Sequence, residues 1–311
     1  MRRLALLLSI IPAAGQPSPP SRTSVYTYDA NGQRTLAGQQ ISGAGGSEQL
    51  VRNMNGRIAP LEQVEEKVIS ENGVERIVEK TVRPFDAAGG AQPGQKIRIT
   101  ESKRPDGSKI VDTQIYQGNI NGGFSLTERS RATERKEGAR LVVDTLIDRA
   151  TINGALETVE KRAATTTIAG AKTTEDTLVY RKDTSGTFYA AARSVKEVEK
   201  RDGHVTENTA NYAAGAQRQM ELVGQTVTET RQEANGSETR KTSVYGMNAP
   251  GRPAAGQPVL REQQITERNK TATGTVETFS IRRPAVDNPN SLGPAQKISE
   301  KICTGPCQQN P

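Results

Sequence analysis

Tryptophan is absent from this 311-residue chain, phenylalanine occurs four times, and only 33% of the residues are hydrophobic. Large apolar side chains supply most of the area a packed core buries. Their scarcity excludes the one or two compact domains that a chain of this length ordinarily forms. The single histidine, His204, argues against nucleophile–histidine catalysis and multi-histidine metal sites, which need that ring beside a nucleophile or other ligands. His204 follows the turn Asp202-Gly203 and reads as an exposed hairpin residue. Neither a nucleophile elbow nor a phosphate-binding loop occurs, and no EF-hand spacing is present. Catalytic residues, a metal and a cofactor are therefore not expected. The 35 acidic residues recur along the whole chain, which suits a structural role better than a unique carboxylate pair.

The net charge of +7 arises from basic and acidic residues that alternate along the chain. Nucleic-acid binding needs a clustered basic footprint, so that partner is not expected. No stretch beyond the first apolar run is long enough for a transmembrane helix. That first run, Leu4 to Ile11, follows Arg2-Arg3 and precedes the small residues Pro12-Ala13-Ala14-Gly15. This is the pattern of a signal peptide over residues 1–15 and implies export to the periplasm, the cell surface or the medium. The two cysteines, Cys303 and Cys307, lie close together in Cys-Thr-Gly-Pro-Cys. In an exported chain they predict a local disulfide.

What the chain does have is glycine at a steady beat. Gly73, Gly107, Gly138, Gly170, Gly203, Gly236 and Gly274 follow one another at about 33 residues, a self-similar period of the kind that marks repeat architectures. A second set, Gly89, Gly122, Gly154, Gly186, Gly215 and Gly251, falls between them. Glycine, Asn and Asp supply the positive φ of hairpin turns. A β-branched residue, Glu and a basic residue lead into several turns, as in Ile99-Thr100-Glu101 and Val227-Thr228-Glu229. Tyr116, Tyr212 and Tyr245 sit nine residues after their turn glycines, and Tyr180 sits ten after Gly170.

These signals predict an all-β protein: an antiparallel meander of repeated hairpins, about 33 residues per two-strand unit, forming an extended, twisted, largely water-exposed sheet. Its two edges would need cover from the N-terminal region or the cysteine-bearing tail. A closed β-barrel is the alternative. An outer-membrane barrel should present alternate apolar residues and aromatic girdles, and the composition provides few of either. The expected layout is a signal peptide (1–15), a flexible leader (16–23), an irregular N-terminal β region (24–60), the hairpin-repeat domain (61–284) and an irregular tail (285–311).

Tyr26-Thr27-Tyr28-Asp29-Ala30-Asn31-Gly32-Gln33-Arg34-Thr35 resembles the Tyr-Asp repeat of Rhs and teneurin-type proteins. The resemblance is confined to those ten residues. It implies a strand-turn-strand hairpin there; the shell that such families build is not part of the expectation.

The function expected is that of an exported, non-enzymatic scaffold or binding module of the envelope or the extracellular space. An outer-membrane barrel or barrel-associated envelope protein is the alternative, and a carbohydrate-active enzyme on a repeat scaffold is a third reading. If Tyr116, Tyr180, Tyr212 and Tyr245 fall in register on one face, they form a tyrosine ladder able to bind polysaccharide or peptide. Polysaccharide and an envelope protein are the candidate partners.

Overall fold

Long strands and short turns alternate from end to end in the computed structural model, which describes residues 20–304 apart from 30, 44, 54, 248–257 and 286–290. The first nine strands are β1 (Ser21–Tyr28), β2 (Arg34–Gly43), β3 (Gly46–Arg52), β4 (Ile58–Glu71), β5 (Glu75–Pro84), β6 (Gln95–Lys103), β7 (Lys109–Gly118), β8 (Phe124–Glu137) and β9 (Arg140–Ala150). The second nine are β10 (Leu156–Ala169), β11 (Lys172–Lys182), β12 (Phe188–Arg201), β13 (His204–Ala214), β14 (Met220–Gln232), β15 (Glu238–Gly246), β16 (Val259–Thr271), β17 (Gly274–Arg282) and β18 (Gln296–Thr304). The expected signal peptide lies outside the described residues.

Every strand pairs antiparallel with its sequence neighbours, and β1 also pairs with β18, from Arg22 opposite Thr304 to Thr27 opposite Ser299. The sheet is therefore a closed barrel of 18 strands. This overturns the extended open sheet expected from the sequence. The local signals are the same for both, because each hairpin is identical whether or not the ends meet. Twist settles the matter, since strongly twisted sheets rarely exceed about ten strands without curling. The edges expected to need cover close on each other, and β18 lies within the tail expected to be irregular.

The odd-to-even connections gather at one end, the loop rim. The even-to-odd connections and both ends of the described chain gather at the other, the tight rim. Gly138-Ala139, Gly170-Ala171 and Asp202-Gly203 form two-residue loops at the tight rim. Asp202 and Gly203 both have positive φ (41° and 78°), as a type I′ hairpin requires. Longer connections occur only at the loop rim: 85–94, 247–258 and 283–295. A recurring bulge accompanies that rim. In every hairpin turning there except β5–β6, the register slips by one residue shortly after the turn. Bulges increase twist and bend the strand, which helps the wall curve.

Register assigns each strand residue to one of two faces. Ser21, Val78, Thr113, Ile147, Glu160 and Thr228 are the strand side chains that lose most exposure, and all lie on the same face. In a cylinder the concave side crowds its side chains, so this face lines the lumen. Ile147 (7% exposed) points inward and the adjacent Leu146 (44%) outward. Strands touch almost entirely their ring neighbours, and among the described residues no large side chain is fully buried. The accessible surface is 20855 Å², against roughly 13,000 Å² for a compact monomer of this mass. An open tube explains the excess. With strands about 4.8 Å apart and tilted about 40°, the backbone ring is about 35 Å across, a size class that leaves an aqueous channel.

Candidate functional site

The lumen wall has two characters. From β4 to β9 the inward positions include Val64, Val78, Val82, Ile97, Ile99, Val111, Ile115, Val143 and Ile147. From β10 to β16 small polar residues predominate, Thr166, Thr177, Ser194, Thr209, Thr226, Thr228, Thr242 and Thr266, interrupted by Val179, Val198, Val205 and Val244. The Thr228 and Thr242 hydroxyls meet at 3.0 Å. Some inward charges are paired, as in Glu66–Lys80 (2.8 Å), Glu101–Lys109 (3.0 Å) and Lys196–Glu207 (3.0 Å), while Glu134, Arg240, Arg268 and Lys270 face the lumen without an ion pair among the described residues. Glu160, only 8% exposed, accepts from Arg162 Nε (2.6 Å) and Arg181 Nε (3.1 Å) just inside the loop rim. Among the described residues no group of His, Cys, Asp and Glu could hold a metal. His204 faces outward at the tight rim.

The outward wall is charged for most of its height. Arg129 bonds Asp112 through Nε (2.9 Å) and Nη2 (2.5 Å), and Arg193 bonds Asp176 at 2.9 and 2.6 Å. Arg135 pairs with Asp144, Lys96 with Glu79 (3.2 Å) and Lys172 with Glu197 (2.9 Å). In water such pairs contribute about 0–1 kcal/mol each. An Arg or Lys on a lipid-facing barrel wall costs about 2–4 kcal/mol at the bilayer midplane.

Among the described residues, aromatic rings occur on the outward face only next to the loop rim, whereas aliphatic residues such as Leu146, Leu178, Val195, Val227 and Ile265 are scattered lower on the wall. Tyr26, Tyr116, Tyr180, Tyr212 and Tyr245 sit directly opposite a bulge, all on that face and at that height. The tyrosines nine or ten residues beyond their turn glycines thus mark the opposite rim. Leu36, Leu126, Leu222 and Leu260 are their register partners, and Phe124 and Phe188 stand beside them. Tyr180, Tyr212 and Tyr245 are on alternate strands, about 10 Å apart, beyond the 4.5–7 Å of ring-to-ring contact. The structure brings the four candidate tyrosines onto one face as a girdle, not as a stacked ladder. Cations are set into this girdle. Arg34 lies over Tyr26 (3.6 Å), Lys297 over Tyr28 (4.4 Å) and Lys96 over Phe124 (5.5 Å). Lys161 and Lys182 flank Phe188 at 4.3 and 5.6 Å.

Five loop-rim turns share a device that sequence reasoning missed. The sequence marks a turn by its glycine and any Asn or Asp beside it, as suppliers of positive φ. The residue that caps the turn lies three before the glycine: Asp29, Asn53, Asp86, Asn119 and Asp183 each accept from the backbone N–H groups two and four residues on. The spacing Asp/Asn-x-x-Gly was the available signal, and it is the Asp-x-x-Gly part of the segment resembling a Tyr-Asp repeat. Asp183 is held down to about 2, first by the Ser185 hydroxyl and further by the Thr187 and Ser185 N–H groups and Arg218, against a desolvation that raises it. Gly215 departs from the pattern. There Arg218 takes the left-handed position (φ 59°) and reaches Asp183 on the neighbouring turn at 2.9 Å. Cys303, the last residue but one of β18, lies on the inward face, and its expected partner Cys307 lies outside the described residues.

No protein-family model matches the chain, and no curated protein does. Among solved structures, the chain is similar to OmpF of Salmonella typhi, solved as a complex with daunomycin. That likeness has 9% identity, a TM-score of 0.51, and coverage of 92% of this chain and 96% of the other. At that identity it speaks to fold alone: a closed, porin-like barrel.

Proposed function

We propose that the protein is a non-enzymatic, porin-like envelope barrel whose lumen is a water-filled passage for small polar solutes. The observation that carries this reading is the closed ring of 18 strands around a lumen in which no large side chain is fully buried among the described residues. The polar stretch of the wall and inward charges of both signs support passage of small hydrophilic molecules. The even strand number, short turns on the side of the chain ends and longer connections opposite are the habit of outer-membrane barrels. A lumen about 20–25 Å wide, once side chains are subtracted from the ring, follows from the same strand geometry.

The test is access to the lumen by size. A single inward thiol, Ala164→Cys, is placed in a chain whose native cysteines are serine. Small maleimides should modify it in minutes, and polyethylene-glycol maleimides wider than the lumen should fail. Modification of equal speed at every polymer size, or none at any size, would refute an open, bounded passage.

A barrel spanning the outer membrane along its full height is a second reading, favoured by the likeness to OmpF. The charged outward wall weighs against it.

A further inference from the structure

The aromatic girdle at the loop rim has no counterpart elsewhere on the outward wall. In a barrel crossing lipid, two girdles flank an apolar band about 25 Å tall. Here one girdle, about two outward residues tall, gives way to a wall on which ion pairs such as Arg129–Asp112 and Arg193–Asp176 are interleaved with isolated aliphatic residues such as Leu146, Leu178 and Val195. Phe124 remains 44% exposed within it. Aromatic rings interleaved with long cationic side chains suit the headgroup layer of a membrane, where rings sit at the boundary and Lys and Arg extend to phosphate. Every cation–ring pair found in the described structure lies at the loop rim, including Arg218 over the inward-facing Tyr189 at 5.0 Å. Ion pairs occur at both rims, Arg34 and Lys297 with Glu300 at the loop rim and Arg135 with Glu137 and Asp144 at the tight rim, so the asymmetry lies in the rings and the cations set over them.

From this asymmetry we infer that the barrel docks end-on to an anionic phospholipid surface, seating its loop rim in the headgroup layer while the rest of the wall stands in water. Tyr116, Tyr180, Tyr212 and Tyr245 enter the interface and Lys161 meets lipid phosphate, joined by Lys182 and Lys297 as they exchange Glu157 and Glu300 for phosphate. Apolar burial supplies part of the attraction and the cations the remainder, so binding requires anionic lipid and weakens with salt. The inference rests on which face points outward and not on passage through the lumen. Lumen access by thiol labelling can therefore succeed while this fails, and the reverse.

The absence of native tryptophan makes a depth map direct. Tyr212→Trp reports the girdle, Val227→Trp the middle of the outward wall, and Thr239→Trp the outward face near the tight rim. Each full-length variant is mixed with vesicles of phosphatidylglycerol and phosphatidylcholine carrying brominated acyl chains. The expected result is quenching of the Tyr212→Trp emission by half or more, with the other two unchanged. In 0.5 M salt or pure phosphatidylcholine, quenching should fall at least fivefold. Equal quenching at Val227→Trp would show a spanning wall and overturn the proposal. So would an unquenched Tyr212→Trp variant, or girdle burial in a dimer seen by sizing without vesicles.

Discussion

Glu160 is the inward carboxylate whose removal should be felt most clearly by a charged solute. It sits between Arg162 and Arg181, and both arginines remain half-exposed (side chains 50% and 59%). Glu160→Gln therefore leaves two hydrated guanidinium groups instead of a buried unpaired charge, and the stability loss should stay near or below about 1 kcal/mol. The lumen, however, gains one positive charge. Ala164 is four residues along the same inward face, about 13 Å away at 3.3 Å per residue. A unit charge at that distance in water contributes about 0.3 kcal/mol. At 10 mM salt, where the screening length is about 30 Å, about 0.2 kcal/mol survives. The sign is opposite for anions and cations, so the ratio of their local concentrations changes about twofold, rising toward fourfold if the wall lowers the effective dielectric. The assay is the rate of modification of Ala164→Cys by anionic and cationic methanethiosulfonate reagents, with and without Glu160→Gln. The ratio of anionic to cationic rate should rise two- to fourfold at 10 mM salt and return to the parental value at 1 M, where screening acts within about 3 Å. An unchanged ratio at 10 mM, or a change that persists at 1 M, would refute the placement of Glu160 on an open aqueous lumen.

Asp183 should make the loop rim acid-sensitive. Its carboxyl is depressed from 3.8 to about 2 in the fold, so its contribution is fully present above pH 3.8 and is lost as pH falls through about 2. The melting difference between the parent and Asp183→Asn should then be constant from pH 7 to 5 and shrink between pH 4 and 2. The Gly215 turn should accept the pattern of its neighbours: Gly215→Asn with Arg218→Gly removes a left-handed arginine, worth about 1–2 kcal/mol of strain, and adds an Asx cap. Thermal melts should rise by about 2 °C, and a fall would show that the Arg218 contacts to Asp183 and Tyr189 outweigh the strain.

Much of the wall was legible from glycine spacing, because a turn that needs positive φ leaves a local mark. Gly107, Gly138, Gly170, Gly203 and Gly236 all occupy that region in the structure. The tyrosine offset was legible too, since nine or ten residues is the length of a strand from one rim to the other. Closure was not. Its contacts join Arg22–Thr27 to Ser299–Thr304, segments near opposite ends of the sequence, and pairing across such a separation leaves no local pattern. β18 was further hidden behind a Pro- and Asn-rich stretch ending at Pro294. The girdle does not show in the aromatic count, because it depends on the register that sets each ring's face and height. Six of the seven tyrosines suffice for one rim once register puts them on one face and at one height. The bulge opposite them has no sequence signal, as Ala37, Thr127, Ala191, Val223 and Arg261 have no residue type common to all.

Closure of the ring is the claim on which the lumen and the outward face both depend. Val25 and Lys301 are register partners across the β1–β18 seam, and antiparallel partners have Cα atoms about 4.5–5.5 Å apart, within the span of a disulfide. In an open sheet of the same strands the two edges would lie roughly 80 Å apart at 4.8 Å per strand. Val25→Cys with Lys301→Cys, in a chain whose native cysteines are serine, should form an intramolecular disulfide on mild oxidation, seen as complete loss of free thiol in the monomer by intact mass. Retention of both thiols, or cross-linking only between chains, would contradict the closed barrel.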